Sequence, residues 1–181
     1  MKINTELKNE QNELEEHDTE INEFEMQIDE AEKQYVVFQL ENQEYGIEIK
    51  QVHEIDRLKE IVISPVPKTP DYVQGIINLR GEIVPIVDLR KKMELPVKEV
   101  DKKSRILIVK IEKKIVGLLV DGVSEVVDVN ENNISLPPDE ITDINTKYLT
   151  GVARINKKLI LLLDIDQILD LEEKNLSEKP V

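Results

Sequence analysis

Residues 75–90 read GIINLRGEIVPIVDLR, and the chain repeats this pattern 76 residues later as GVARINKKLILLLDI, residues 151–165. Both copies begin with a glycine, continue through an apolar run and a polar turn, and reach an aspartate after a second apolar run. Two short apolar runs separated by a polar turn are typical of a β-hairpin. The stretch therefore predicts a duplicated hairpin with an aspartate at the end of each second strand.

A second block is repeated in the same order along the chain. Residues 35–55 match residues 106–126 at a shift of 71, and Gly46 falls on Gly117. Two copies are too few for a solenoid, and a unit of roughly 70 residues buries little surface alone. The duplication predicts two related small barrels packed against each other. An apolar groove between them is then a candidate binding surface.

Short apolar runs rich in β-branched residues predict strands at Tyr35–Leu40, Tyr45–Ile49, Gly75–Leu79, Ile83–Val87, Ile106–Ile111, Ile115–Val120, Val123–Val129, Val152–Ile155 and Leu159–Leu163. Single helical turns are predicted at Asp88–Met93 and Asp164–Leu169. Strands at this density with short polar connections indicate an all-β barrel or sandwich. Pro85 lies inside one run and cannot donate to a β-ladder, so we expect it at an edge or a bulge.

The first part of the chain differs from the rest in composition. Twelve of the 38 acidic residues lie within the first 34 positions, together with only three lysines. This composition fits a solvated extension that is disordered or partly helical; a weak heptad pattern leaves open a short helix for self-association or docking. We predict an acidic extension at 1–33, a duplicated region at 34–171 with halves at roughly 34–95 and 103–171, and a tail at 172–181.

The residue inventory lacks the groups that catalysis or metal binding usually requires. The chain has no cysteine, and its two histidines, His17 and His53, lie far apart in sequence. None of the six glycines belongs to a phosphate-binding motif, and no nucleophile motif occurs. The sequence therefore predicts no catalytic residue, no metal site and no cofactor. An enzyme built on scattered carboxylates is the alternative.

Charge and hydropathy limit the expected partners and location. The net charge of −14 disfavours binding to nucleic acid or to anionic lipid. No apolar run approaches the roughly 20 residues that a membrane span needs, and the N-terminus lacks the pattern of a signal peptide. We expect a soluble cytoplasmic protein that does not insert into the membrane directly.

Structural roles are expected at the turns and strand ends. Gly81 can supply the positive φ of a tight turn, while Asp88 and Asp164 can cap the helical turns that follow them. Gly117 matches Gly46, and Gly151 matches Gly75, in the second copy of the repeat. We expect both to have structural roles as well. Next to Gly81, Arg80 would project from the tip of its turn.

Several blocks of sequence resemble the chemotaxis coupling proteins, the CheW-like family. In chain order they are EYGI at 44–47, VHEI at 52–55, the stretch from NLRG to VDLR at 78–90, VDGVSEV at 120–126 and YLTG at 148–151. The resemblance covers about residues 34–171 and leaves out the acidic extension. It implies two small five-stranded SH3-like barrels packed around a shared hydrophobic core.

The resemblance also implies a non-enzymatic adaptor with two protein partners. One is the regulatory domain of the chemotaxis histidine kinase CheA. The other is the cytoplasmic tip of methyl-accepting chemoreceptors, through which the adaptor would reach membrane receptor arrays. The receptor-binding residues that it implies are Val52, Glu54, Arg80, Ile106 and Val126. A related adaptor for a surface-motility or biofilm-type kinase array is equally compatible with the sequence.

Overall fold

The computed structural model describes residues 32–137 and 144–169. The strands within these ranges are β1 (Glu32–Leu40), β2 (Gln43–Glu48), β3 (Val52–Arg57), β4 (Val73–Leu79), β5 (Glu82–Asp88), β6 (Arg105–Ile111), β7 (Lys114–Val120), β8 (Gly122–Asn130), β9 (Ile134–Ser135), β10 (Leu149–Ile155) and β11 (Lys158–Leu163). Helix α1 spans Leu89–Lys92, and residues 165–169 are also helical. Turns of 3₁₀ helix lie at Ile49–Gln51, Leu58–Glu60, Glu131–Asn133 and Ile144–Tyr148.

The strands form two sheets, which confirms the predicted all-β class. Sheet A has the order β8-β1-β2-β11-β10-β9, and sheet B has the order β3-β6-β7-β5-β4. The hairpin β1–β2 from the first half of the sequence lies in sheet A, and the hairpin β6–β7 from the second half lies in sheet B. The halves 34–95 and 103–171 therefore do not coincide with the sheets, because the hairpin that opens each half pairs with strands of the other.

We call β1–β2 and β6–β7 the exchanged hairpins, because each joins a sheet that is otherwise built mainly from the other half of the chain. Each joins that sheet through one parallel strand pair. Strand β2 pairs with β11, where Gly46 lies opposite Leu162, and β7 pairs with β5, where Gly117 lies opposite Ile86. A Cβ atom on Gly117 would lie 2.4 Å from Ile86 Cδ1, and one on Gly46 would lie 3.0 Å from Leu162 Cδ2. The repeated glycine is therefore a close-packing position, at the point where the two halves interlock.

The core has three parts because the exchanged strands are buried on both faces. Ile106 and Ile108 of β6 pack into the interior of sheet B, while Leu107 and Val109 of the same strand pack into a core shared by both sheets. In β1, Val37 packs into the interior of sheet A, while the next residue, Phe38, packs into the shared core. Such double burial explains why these strands are continuous apolar runs without polar alternation.

The structure corrects two details of the sequence analysis. Strand β3 was not predicted as a strand, because His53, Glu54 and Asp56 break its apolar pattern. Pro85 is not at an edge, since β5 has β4 on one side and β7 on the other, but the β4–β5 pairing has an irregularity immediately beyond it, between the Gly75–Ile86 and Val73–Val87 pairs. The proline is tolerated because pairing with β7 starts only at the next residue, and because its β4 partner Ile76 bonds to Ser64 instead, in both directions at 2.9 Å.

A buried ion pair ties the two halves together. The guanidinium of Arg90, in α1, donates to both carboxylate oxygens of Asp121 at 2.7 and 2.5 Å, and to the Pro96 carbonyl at 2.6 Å. Asp121 also accepts the backbone N–H of Glu41 at the β1–β2 turn. Burial raises the pKa of Asp121, but the hydrogen bonds from Arg90 and Glu41 outweigh it and hold the pKa below its usual value.

The predicted structural residues occupy defined places. Asp88 caps α1 by accepting the N–H groups of Arg90 and Lys91, and Asp164 accepts the N–H of Gln167 at 3.1 Å. Gly81 has a φ of +92° in the β4–β5 turn.

The extension 1–33 and the tail 172–181 lie almost wholly outside the described residues, so those divisions stay predictions.

Candidate protein-binding site

An ion pair on the surface of sheet B joins two of the residues singled out from the sequence. Glu54 is on β3, and Arg80 is the first residue of the β4–β5 turn, where it has a φ of +50°. Arg80 Nη2 lies 2.9 Å from Glu54 Oε2. The Arg80 side chain is 74% exposed and that of Glu54 is 20% exposed. Such an exposed pair adds little stability. Because the Arg80 side chain is mostly exposed, its guanidinium can meet another molecule.

The same ion pair helps to close sheet B. Strands β3 and β4 are the two outer strands of the sheet, and Arg80 and Glu54 connect them across the gap. The segment after β3 completes the connection, because Ser64 exchanges both backbone hydrogen bonds with Ile76 of β4. Bringing the outer strands together removes exposed sheet edges, as in small barrels. The closing seam is where the candidate residues lie.

A groove of about 430 Å³ opens along this seam. Its lining comes from β3, from the segment that follows it and from β4 with its turn: Glu54, Asp56, Glu60, Ile61, Val62, Ile77, Asn78, Leu79 and Arg80. Val62 is 86% exposed, which is unusual for an apolar side chain in a groove wall. Sheet B therefore presents an apolar wall beside a cluster of charged groups. This combination is typical of protein-binding surfaces.

Asp56 is a member of this site that the sequence analysis missed. It lies two residues after Glu54 on β3, so both side chains point to the same face of the strand. Burial raises the pKa of Asp56 above its usual value, the charge of Glu54 and a hydrogen bond to it raise it further, and Arg80 lowers it. The repeat at a shift of 71 could have identified β3 as a strand, and the period of two along a strand would then have placed Asp56 on the same face as Glu54.

The other predicted receptor-binding residues are not grouped with this ion pair. Val52 begins β3 and is half-buried against the shared core. Val126 lies on β8, the outer strand of sheet A, and is 50% exposed. Its repeat-related position, Ile55, is 42% exposed. Ile106 is fully buried inside sheet B, so its side chain cannot touch a partner, and we remove it from the contact set.

A second groove, of about 480 Å³, lies on sheet A. Each of the two grooves is lined by residues of one half of the chain, whereas the duplication predicted an apolar groove between the halves. The second groove is lined by Asn132, Asn133, Ser135, Leu136, Val152, Arg154, Leu159 and Leu161. Leu136 is 83% exposed and Leu159 is 49% exposed. The repeat relates it loosely to the first groove, since Arg154 corresponds to Asn78 at the shift of 76. The two grooves therefore differ in charge, although they arise from the same duplicated unit.

The chemistry of the described residues fits recognition of other proteins. Residues 32–137 and 144–169 contain no group of three or more His, Cys, Asp or Glu side chains arranged to hold a metal ion. None of the described helices is long and apolar enough to cross a membrane. What these residues do present is one groove in which charged side chains lie beside an apolar wall, and a second groove with a mostly apolar lining.

Comparison with known proteins gives one consistent result. The CheW-like domain family matches residues 34–173. The chemotaxis protein CheW of Klebsiella aerogenes is 35% identical over 141 residues, which cover 78% of this chain and 84% of that protein. CheW of Bacillus subtilis is 31% identical, with coverage of 77% and 88%. The crystal structure of the scaffolding protein TtCheW from Thermoanaerobacter tengcongensis superposes with a TM-score of 0.69 at 40% identity, covering 74% of this chain and 90% of that one.

Two interlocked sheets with exposed grooves, together with the match to the CheW-like domain and to a scaffolding protein of known structure, place the chain in the class of β-fold scaffold proteins. The chain belongs to the CheW-like family, as the extent of the match and the identity to its chemotaxis relatives show. The resemblance seen in the short sequence blocks is thereby confirmed across most of the chain.

Proposed function

We propose that the chain is a non-enzymatic chemotaxis scaffold that couples methyl-accepting receptors to the histidine kinase CheA in the cytoplasm. The observation that carries the proposal is the exposed Arg80–Glu54 pair in an apolar-walled groove. In this proposal the receptor tip docks at Arg80 and Glu54 in the first groove, and its contacts extend beyond the groove to Val52 and Val126. The scaffold acts by holding receptor and kinase in a fixed geometry, so that the state of the receptor controls the kinase.

The second groove is the better candidate for the kinase. A coupling protein needs two separate surfaces, and Leu136 and Leu159 give sheet A an exposed apolar area away from Arg80. A contiguous exposed apolar patch rimmed by polar residues marks an interaction site, whereas single exposed apolar residues do not; here the exposed leucines line one groove together with Val152 and Leu161. We therefore assign the regulatory domain of CheA to this groove.

Binding assays with purified receptor and kinase fragments test both assignments. Replacing Arg80 with glutamate removes the only cation among the described residues that line the first groove and adds a fourth acid to Glu54, Asp56 and Glu60. Receptor binding should then fall by at least about tenfold while kinase binding is kept. Replacing Leu136 with aspartate should have the opposite effect. Lys113→Glu is the matched control for Arg80→Glu, because Lys113 is an exposed cation at another hairpin turn.

The outcomes separate the parts of the proposal. Unchanged receptor affinity in folded Arg80→Glu protein would remove the first groove from the receptor interface. Failure of the wild-type chain to form any complex with receptor and kinase would reject the scaffold function itself.

A further inference from the structure

The groove beside Arg80 carries more negative charge than its own cation neutralises. Among the described residues that line it, Glu54, Asp56 and Glu60 are acidic and Arg80 is the only cation. Arg80 is engaged with Glu54 at 2.9 Å, and Glu60 lies 3.9 Å from Arg57. No cationic side chain of the described residues forms a salt bridge with Asp56. Arg80 lowers the pKa of Asp56 while Glu54 and Glu60 raise it, so the one cation among the described lining residues is shared between several carboxylates.

The position of Asp56 makes this charge matter for binding. Glu54 and Asp56 are half-buried on one face of β3, whereas His53, Ile55 and Arg57 point outward and are exposed. A partner that covers the groove would remove the remaining water from Asp56. A carboxylate left without a counter-charge in a desolvated interface opposes binding. The carboxylate therefore favours a partner that brings a cation to this point.

The wall of the groove adds a second requirement. Ile61, Val62 and Leu79 border the acidic side, and Val62 is 86% exposed. A matching surface therefore needs apolar side chains next to its cation. A helix supplies this arrangement when a lysine or arginine has an apolar neighbour three or four positions away.

We propose that Asp56 is a specificity-determining residue, which selects helical partners that place a lysine or arginine beside the Arg80–Glu54 pair. This inference rests on the proposed function, with the receptor tip as the helical partner. Arg80 and Asp56 then read opposite charges on the same partner: Arg80 meets an acid or a carbonyl, and Asp56 meets the cation. A partner with acidic residues at both places is rejected.

A double-mutant cycle tests this pairing. The probe is the soluble cytoplasmic hairpin fragment of a chemoreceptor from the same organism, in which each lysine and arginine at the tip is changed in turn to glutamine. Affinities for the wild-type chain and for Asp56→Asn are measured by calorimetry at low salt. One cation should couple to Asp56: each single change should weaken binding about tenfold, and the double change should weaken it little further.

Charge exchange sharpens the test. Asp56→Lys should bind the original fragment much more weakly, and should regain affinity for the fragment in which the coupled cation is replaced with glutamate. Asp166→Asn is the matched control, because Asp166 is an exposed acid on the helical segment 165–169 and lies outside the groove. It should bind the receptor fragment like the wild-type chain.

Two results would overturn the inference, and both differ from failure of the proposed function. Receptor binding that is lost in Arg80→Glu but unchanged in Asp56→Asn would show that the groove binds the receptor without reading a cation at Asp56. Equal weakening of every tip variant by Asp56→Asn, without coupling to one cation, would show a general charge effect. Failure of the wild-type chain to bind any receptor fragment would instead reject the receptor assignment.

Discussion

Arg90 and Asp121 form a bidentate ion pair between the two halves of the chain. Their side chains are 9% and 14% exposed, and Asp121 also holds the β1–β2 turn through Glu41. Replacing Asp121 with asparagine leaves the guanidinium of Arg90 without its counter-charge in the interior. We expect a loss of about 3 kcal/mol in the free energy of unfolding at neutral pH, measured by urea denaturation.

The same pair predicts a pH dependence. Because the pKa of Asp121 is lower in the folded than in the unfolded chain, its contribution is present above the unfolded pKa and disappears as the pH falls through the folded pKa. The stability of the wild-type chain should therefore approach that of Asp121→Asn as the solution is acidified. Parallel pH profiles for the two proteins would contradict the assignment.

Gly75 shows how one residue fixes the closing seam of sheet B. It has a φ of +147°, and a Cβ atom there would lie 2.3 Å from the carbonyl oxygen of Ser64. Gly75→Ala would force apart the backbone contact between Ser64 and β4, so we expect a loss of about 3–5 kcal/mol in unfolding free energy. In Gly81→Ala the new methyl group meets no atom within 4 Å, and only backbone strain of about 1 kcal/mol should remain.

At the scale of elements, the two parallel junctions allow a comparison within one molecule. A methyl group on Gly117 would lie 2.4 Å from Ile86 Cδ1 and 2.9 Å from Ile106 Cγ2, whereas one on Gly46 would have 3.0 Å to Leu162 Cδ2. We expect Gly117→Ala to lower the free energy of unfolding by about 3 kcal/mol and Gly46→Ala by about 1 kcal/mol. Thermal unfolding of both variants checks the order, and equal losses would show that the junctions are equally tight.

Local pattern was enough to predict most of the strands. The apolar runs at β1 and β6 are strong signals because both faces are buried. Strand β3 carries a weaker pattern, since one of its faces holds Glu54 and Asp56 for the groove. The shift of 71 residues that relates Val52 to Val123 would have recovered β3 from the better-patterned β8.

The local sequence pattern could not predict which strands pair with each other. The sequence shows that residues 35–55 and 106–126 are equivalent, but the repeat by itself does not show which sheet each hairpin joins. The exchange is visible only when Gly46 is found opposite Leu162 and Gly117 opposite Ile86. For the candidate site, the motif predicted Arg80 and Glu54, while Ile106 was misplaced because an apolar strand residue gives no sign of which face it occupies.

For the whole molecule, the acidic extension can be tested by deletion. Removing residues 1–33 takes away the start of β1 and the Lys33–Glu131 ion pair, but the pairing of β1 with β2 begins later, at Tyr35 opposite Glu48. We therefore expect the shortened chain to fold and to form the complex with receptor and kinase fragments. Loss of the complex by a folded, shortened chain, measured by size-exclusion chromatography, would give the extension a role in assembly.

The exchanged hairpins also set the order of events at the ribosome. In sheet A, β2 pairs with β11, where Gly46 lies opposite Leu162. Strand β2 therefore cannot complete its pairing until β11 has been synthesised. At roughly 5–20 residues per second, the nascent chain spends about ten seconds with β1 and β2 exposed. A ribosome that stalls in the second half would therefore release a fragment with two open, apolar strands, which is a substrate for chaperones and proteases. The apolar strands β1 and β2 become fully paired only when the whole chain has been synthesised, and not when the first half is complete.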